Sequence, residues 1–550
     1  MKNRICVLLS LLALVMTSNA QETTYRILHK KDTTVWVNLE GVGIGSRDVR
    51  YYCYEYPSKD SDGKAVTISG IIMAPSDIVS GAVPCDGVVL YNHPTIGSPS
   101  QAPSQGGLEG VSALLANPLR PNYIVVACDY IGYGSSIDHP ICYLAGETNA
   151  RNSLDGLLAA RRLFSDEQIP QGKYLFNIGY SQGGTESMYV AKLRDKEYKD
   201  KGITFDKTFI GGAMLDCERA YIEYVEKDQC DAINDVAMFL ISVNENFHMG
   251  IKYSDLFKEP LASNVQEVIR TKDKGVLSRI GVSSLDSLHK LLQPAYMNLK
   301  SKEAIALKAK LAEIKISNGW EPDLTQRYYI EHSRHDNYVP VQCARALLTW
   351  MKSKGFKPSL VPGKTNMQTC MVVFKLKHQP SAVVWSIQTM AAIQFWPVVY
   401  YEGEQNRYYH GMVKDLDVMK VLTTLEKWGI DVRKLVNTKR ASERQNRANL
   451  GPLFSLIPGL KDALAKVELT PNDLSEMLED SGITTEDVAR VIVYMLGLTS
   501  SAPANTSIAT AMSLDEETLA PMFLQRLYES RLAEWFKAGG RDVDYNKWAW

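Results

Sequence analysis

The sequence predicts an α/β protein: a mostly parallel sheet with helices on both faces, an inserted helical cap and a C-terminal helical extension. Three observations carry this reading. From Gly87 to about Trp396, short segments rich in β-branched and aromatic residues alternate with segments that carry apolar residues at helical spacing. From about Glu218 to Trp320 the alternation stops, and helical patterns follow one another. From about Tyr401 the composition changes again, to amphipathic stretches around a polar linker.

In chain order, residues 1–20 open with Lys2 and Arg4, followed by the apolar run "ICVLLSLLALVM" and by "SNA", which sets small residues before a cut after Ala20. This is the pattern of a secretory signal peptide, and it predicts a secreted or periplasmic protein. The run is short for a bilayer span, and no later stretch offers about 20 apolar residues, so no transmembrane segment is expected after cleavage. Residues 21–217 are expected to form the first part of the sheet domain. There "VRYYCYEYPS" and "AVTISGIIMAP" read as an antiparallel pair at one edge, and "GVVLYN" (87–92), "NYIVVACDY" (122–130), "KYLFNIG" (173–179) and "KTFIGGAML" (207–215) read as strands. "NARNSLDGLLAARRLF" has the apolar spacing of a helix laid on such a sheet.

Residues 218–325 are expected to form the cap, from "DAINDVAMFLISVNENF" to "SKEAIALKAKLAEIKI". A block inserted after a strand emerges at the end of the sheet where ligands bind in open α/β folds. Residues 326–400 return to the sheet with "QRYYIEH" (326–332), the helix "VQCARALLTWMKSKGF" and "MVVFKLK" (371–377). Residues 401–550 are expected to be helical, with Thr470-Pro471 as an N-cap and first-turn pair. The favoured reading is that these helices complete the core; the alternative is a docking or self-association module.

Composition excludes some partners. A formal net charge of -1 gives no general case for nucleic acid or an anionic membrane. No C-x-x-C or H-E-x-x-H occurs, which removes the commonest zinc and redox signatures, and neither a metal nor an organic cofactor is expected. Eight cysteines follow the signal peptide: Cys53, Cys85, Cys128, Cys142, Cys217, Cys230, Cys343 and Cys370. An even number in an oxidising compartment predicts some disulfides, with a pairing that spacing does not reveal.

The chemistry centres on "NIGYSQGGTES" (177–187), where Gly179-Tyr180-Ser181-Gln182-Gly183 fits G-x-S-x-G. Chance can supply such a pentapeptide, but here a strand precedes it and a helix follows it. In that context the turn is tight, the glycines avoid clashes and the serine hydroxyl is lifted to the top of the sheet. Ser181 is therefore the candidate nucleophile, and the Gln182 N–H a candidate oxyanion donor. A serine needs a base, and the base an orienting acid, in the chain order nucleophile, acid, base. Asp336 follows the strand "QRYYIEH", and His378 follows "MVVFKLK"; His410 is the other histidine after Asp336, without a convincing strand before it. Asp216, after "TFIGGAML", is the rival acid, and His332 and His335 read as loop residues. In "HPTIG" after the first parallel strand, Pro94 has no N–H to give, so Thr95 is the candidate second oxyanion donor.

As a set these segments resemble the α/β-hydrolase superfamily, and within it are similar to secreted lipases and esterases of the secretory lipase type. "YNHPTIG" resembles the oxyanion segment, with Pro94 where a glycine is usual. "DYIGYGSS" and "YLAGETNARNSLDGLLAARRL" resemble the aspartate-tyrosine loop and its helix, "GYSQGG" the nucleophile elbow and "HDNYVPVQCARAL" the acid loop, and His378 matches the base but lacks its usual neighbouring glycine. The likeness covers roughly residues 50 to 400 and leaves the last 150 or so outside it. It implies structural roles for Asp129, Gly132 and Gly134, and hydrolysis of small-molecule esters through an acyl-enzyme. A serine peptidase on the same fold and a catalytically silent binding protein are the alternatives.

Overall fold

The computed structural model describes residues 24–394, apart from 40–41, 108, 117–121, 230, 357, 360–366 and 372–376. The expected signal peptide and C-terminal extension, together with His410, lie outside the described residues. Ten strands form one sheet among the described residues: β1 (Arg26–Leu39), β2 (Val42–Lys59), β3 (Ala65–Pro75), β4 (Gly87–Asn92), β5 (Tyr123–Cys128), β6 (Tyr174–Tyr180), β7 (Lys207–Gly211), β8 (Tyr328–His332), β9 (Pro358–Ser359) and β10 (Met367–Met371). Their order is β1-β2-β3-β5-β4-β6-β7-β8-β10-β9. Pairings from β1 to β5 through β3 are antiparallel, and every pairing beyond β5 is parallel.

The parallel strands are buried because helices cover both faces. Every residue of β4, β5 and β7 is buried, which explains their unbroken apolar runs. The helices that matter for the site are α1 (Thr148–Asp166), α2 (Gln182–Leu193), α3 (Cys217–Lys227), α4 (Ile233–Asn246), α5 (Leu261–Thr271), α6 (Lys302–Ile314), α7 (Val341–Ser353) and α8 (His378–Gln394). Between β7 and β8 the described residues contribute no strand to the sheet, only α3 to α6 and shorter helical turns. The chain winds outward to β5 on one side of β4 and then crosses to β6 on the other. The carboxyl ends of β4 and β6 therefore face a topological switch point, where open α/β sheets bind ligands. Asn92 of β4 pairs with Gly179 of β6, so the two ends are level.

A buried polar network locks this junction. Asn92 Nδ2 donates to Asn177 Oδ1 at 2.8 Å and to Ser187 Oγ at 2.9 Å, while Ser153 Oγ donates to Asn92 Oδ1 at 3.0 Å. Asn177 Nδ2 donates to the Ser187 carbonyl at 2.8 Å. Two central strands and the helices α1 and α2 are thus fixed by amides whose partners are all protein groups, as burial of such groups requires.

Three expectations need correction. The strand β1 was not foreseen: its sequence "RILHKKDTTVWVNL" is polar because it lies at the sheet edge, where lysines suit a strand with one side open. The last parallel strand was expected at 371–377, but β10 begins at Met367 and ends at Met371, and 372–376 lie outside the described residues. The cysteines Cys53, Cys85, Cys128, Cys142, Cys217 and Cys343 are free thiols. All but Cys85 are buried, and Cys53, Cys142 and Cys217 hydrogen-bond to the carbonyls of Ser104, Ala145 and Leu311. They behave as small core residues, whose burial pushes the thiols up, to about 12 for Cys128 and Cys217. Cys230 and the side chain of Cys370 lie outside the described residues.

Candidate active site

Ser181 sits at the junction of β6 and α2 with φ 57° and ψ -123°, in a region that side-chain-bearing residues rarely adopt. The surrounding packing holds it there. The Ser181 N–H donates to the Gly211 carbonyl at 2.8 Å, and the Ser181 carbonyl accepts from Thr185 N–H at 3.1 Å. The glycines of the turn are required by approach distance. A Cβ on Gly183 would lie 2.0 Å from the Asn92 carbonyl oxygen, and one on Gly179 2.1 Å from that of Gly183. Glycine thus lets α2 press against the carboxyl end of β4.

His378 is the first residue of α8, and its backbone N–H donates to Asn337 Oδ1 at 3.0 Å. Its Nε2 lies 2.9 Å from Ser181 Oγ, and its Nδ1 lies 2.7 Å from Asp336 Oδ2. The other Asp336 oxygen, Oδ1, accepts from the N–H groups of Tyr338 and Val339, each at 2.8 Å. Burial alone would raise the Asp336 carboxyl. The hydrogen bond from His378, the charges of His332 and His378 and the Val339 N–H outweigh it and hold the group below the usual carboxylate range. The His378 ring lies between two aromatic neighbours: Tyr338 stacks on it at 4.9 Å, and the Tyr180 ring is tilted at 5.2 Å. Tyr180 O–H also donates to the His378 carbonyl at 2.7 Å.

The rival acid, Asp216, is placed elsewhere. It caps α3 and accepts from Arg219 N–H at 3.0 Å. His332, expected in a loop, closes β8 and is buried. Burial pushes its ring toward the neutral form, and Nε2 donates to the Val339 carbonyl at 2.9 Å. His335 does lie in the loop beyond β8.

Gln182 is the first residue of α2, where an N–H has no carbonyl within the helix to bind. Thr95 lies beyond β4, and its Oγ1 meets the Tyr143 hydroxyl at 2.9 Å. Pro94 still contributes: its carbonyl accepts from His93 Nδ1 at 2.8 Å, and the His93 ring stacks on Tyr130 at 4.0 Å. Behind it, buried Asp129 accepts from Ser69 Oγ at 2.6 Å and from Ser104 N–H at 2.8 Å. A Cβ on Gly134, at φ +51°, would lie 2.2 Å from that carboxylate, so these residues brace the loop beneath the site.

Ser181, His378, Pro94 and Thr95 open into one cavity of about 360 Å³. Tyr91, Leu114 and Ile178 line it from the sheet side, and Ala382, Trp385, Ser386, Thr389 and Met390 of α8 form the opposite wall. Asp235 and Lys274, from the helical segment between β7 and β8, complete it. Nothing in linear spacing connects Asp235 or Lys274 to Ser181, and Tyr338 was in view as part of the acid loop without its stacking on His378. Tyr180 was in view as the residue before the serine, without its bond to the His378 carbonyl.

A crystal structure from Legionella pneumophila, of a candidate hydrolase, superposes with a TM-score of 0.56 over 68% of this chain and 98% of that one, at 18% identity. The rice cell wall degrading esterase LipA from Xanthomonas oryzae superposes with a TM-score of 0.54 over 69% of this chain and 98% of that one, at 17% identity. The fold is the α/β-hydrolase fold. No family model matches the chain, and no curated protein matches it. Ser181 lies in the turn after β6 and Thr95 in the segment after β4, and both line the same cavity. No group of three or more histidine, cysteine or acidic side chains that could hold a metal occurs among the described residues, and no helix there is long and apolar enough to cross a membrane.

Proposed function

We propose that the protein is a serine hydrolase that cleaves carboxylic esters of small molecules through an acyl-enzyme. The observation that carries this reading is the line of contacts from Asp336 to His378 to Ser181, at 2.7 and 2.9 Å. Ser181 Oγ attacks the ester carbonyl carbon as its proton passes to His378 Nε2. Asp336 holds the Nδ1–H tautomer and stabilises the imidazolium. The N–H groups of Gln182 and Thr95 receive the oxyanion. His378 then gives its proton to the ester's alcohol oxygen as the acyl carbon–oxygen bond breaks, and the alcohol leaves. A water enters and attacks the acyl-enzyme carbonyl as His378 takes its proton; the bond from the acyl carbon to Ser181 Oγ then breaks, His378 returns the proton to Ser181 Oγ, and the acid is released.

The cavity is near the lower end of the 300–1,000 Å³ or so usual for ligand pockets, and its walls are mainly apolar, which suits a small ester. Within this reading, residues 21–217 and 326–400 form the hydrolase core, 218–325 the cap and 401–550 an extension, and residues 1–20 direct export and are removed. The test is a panel of nitrophenyl esters from acetyl to palmitoyl, with peptide amides beside them. Ester turnover should fall at least about 10⁴-fold in Ser181→Ala. Turnover that survives in that variant at the wild-type rate overturns the reading, as does wild-type protein that cleaves no member of the panel.

A further inference from the structure

The segment that holds Thr95 is braced from the helical segment between β7 and β8. Thr95 Oγ1 meets the Tyr143 hydroxyl at 2.9 Å. Asp235 of α4 lines the same small cleft as Tyr143, and Asp235 Oδ1 is paired with Lys274 Nζ. The direction of the chain follows from what each group can do. A carboxylate only accepts, so the Tyr143 O–H turned toward Asp235 is the donor in the relay. The phenolic oxygen is then free to accept, and the Thr95 hydroxyl donates to it. Lys274 Nζ donates to Asp235 Oδ1, which holds that side chain in place.

Backbone contacts tie down the same groups. Lys274 N–H donates to the Gly97 carbonyl at 2.8 Å, two residues beyond Thr95. Tyr143 N–H donates to Ser242 Oγ of α4 at 2.7 Å, and Asn246 Nδ2, one turn further, donates to the Ile141 carbonyl at 2.8 Å. Tyr143 is buried, and Asp235 and Lys274 are only about one-fifth exposed. The chain is therefore a part-buried one, in which each link is stronger than at an open surface.

Building on the esterase reading above, we infer that Tyr143 and Asp235 are positioning residues: the relay Lys274–Asp235–Tyr143–Thr95 fixes the backbone of Thr95 so that its N–H meets the oxyanion. The helical segment thereby acts on the chemistry through the donor it steadies, as well as by walling the cavity. Removing an oxyanion donor outright costs about 10²–10³-fold in kcat, so loosening one should cost less, about tenfold.

The experiment uses the full-length protein with nitrophenyl acetate and, independently, a fluorophosphonate that labels an activated serine. Three variants cut the relay: Tyr143→Phe, Thr95→Val and Asp235→Leu. Asp235→Asn keeps an oxygen that can accept from Tyr143. In Tyr143→Phe and in Thr95→Val, kcat and the labelling rate should fall about tenfold, with KM changed less than about twofold. The double variant should lose no more than either single one, because both remove the same link. Asp235→Asn should retain more kcat than Asp235→Leu. The inference is overturned if kcat stays within about twofold of wild type in both Tyr143→Phe and Thr95→Val, if the double variant multiplies the two losses, or if the effect falls on KM alone, which would make Asp235 and Tyr143 direct substrate contacts. Should Tyr143→Phe not fold, the comparison of Thr95→Val with the two Asp235 variants decides. A failure of the esterase reading itself is distinguishable: fluorophosphonate would then label wild type and Ser181→Ala alike, or label neither.

Discussion

Replacing Glu186 with glutamine should raise the stability of the folded protein at alkaline pH and leave it nearly unchanged near pH 5. Glu186 lies on α2, one turn beyond the nucleophile turn, and is wholly buried. Its Oε1 accepts from Asn149 Nδ2 at 3.1 Å, and its Oε2 has no hydrogen-bond partner among the described residues. Burial pushes this carboxyl up from 4.5 to about 8, against smaller opposing contributions from Asn149 and Gln182. Between those two values the folded protein keeps the proton that the unfolded chain has released. Stability therefore falls as pH rises through this window, by about 1.4 kcal/mol per pH unit, and the accumulated penalty is about 5 kcal/mol above pH 8. Glutamine has the same shape and no charge to lose, so it removes this dependence. Thermal unfolding of wild type and Glu186→Gln, followed by circular dichroism from pH 5 to 9, reads the difference. The two curves should nearly coincide at pH 5, and the variant should melt several degrees higher at pH 9. An offset of equal size at every pH would refute the argument, as would a variant that melts lower at pH 9. Glu331, buried in β8 and also pushed up by burial to about 8, adds a second contribution of the same sign, so Glu186→Gln should retain part of the pH slope, which only the double variant with Glu331→Gln loses.

Two further outcomes follow from the site. Asp336→Asn can still accept from Tyr338 and Val339 through its amide oxygen, but it turns an N–H toward His378 Nδ1 and imposes the wrong tautomer; ester kcat should fall about 10³–10⁴-fold with the melting temperature changed by little. Gly183→Ala places a Cβ 2.0 Å from the Asn92 carbonyl oxygen and 2.9 Å from that of His93, so the end of β4 must shift. It should cost about 1–3 kcal/mol or more in stability, seen as a lower melting temperature, and should depress kcat because the displaced segment is the one that carries Thr95.

The parts of the molecule legible in the sequence are those in which neighbouring residues decide the outcome. The limits of β4 are legible because five apolar or aromatic residues, Gly87 to Tyr91, are buried on both faces and end at Asn92-His93-Pro94. The order Ser181, Asp336, His378 was readable because each residue follows a strand, and strand ends converge in this kind of sheet. What escaped depends on distant chain segments. Asn92 and Asn177 look like strand ends or interruptions in a linear view, yet they are the buried amides that join β4 to β6. Asp235 and Lys274 are ordinary helix residues by pattern, and only the folding of the helical segment brings them to the cavity. Among the six described thiols the expected disulfides do not form, for a related reason: parity and compartment say nothing about whether two thiols meet, and these thiols find carbonyls or apolar neighbours instead.

The helix α8 starts at His378 and carries Ala382, Trp385, Ser386, Thr389 and Met390 along one wall of the cavity, at successive turns of the same face. In the proposed mechanism the proton carrier and the gauge of the pocket are thus parts of one rigid rod. A mutation that hollows or fills that wall also leans on the turn that aims the imidazole, so a lineage exploring new substrates from this side would trade speed for breadth at every step. The facing wall holds strand residues Tyr91 and Ile178, which are committed to the sheet. Leu114, half-buried on the helix Glu109–Ala116, belongs to neither the rod nor the sheet, so in the proposed enzyme a substitution there should change ester preference with less effect on rate.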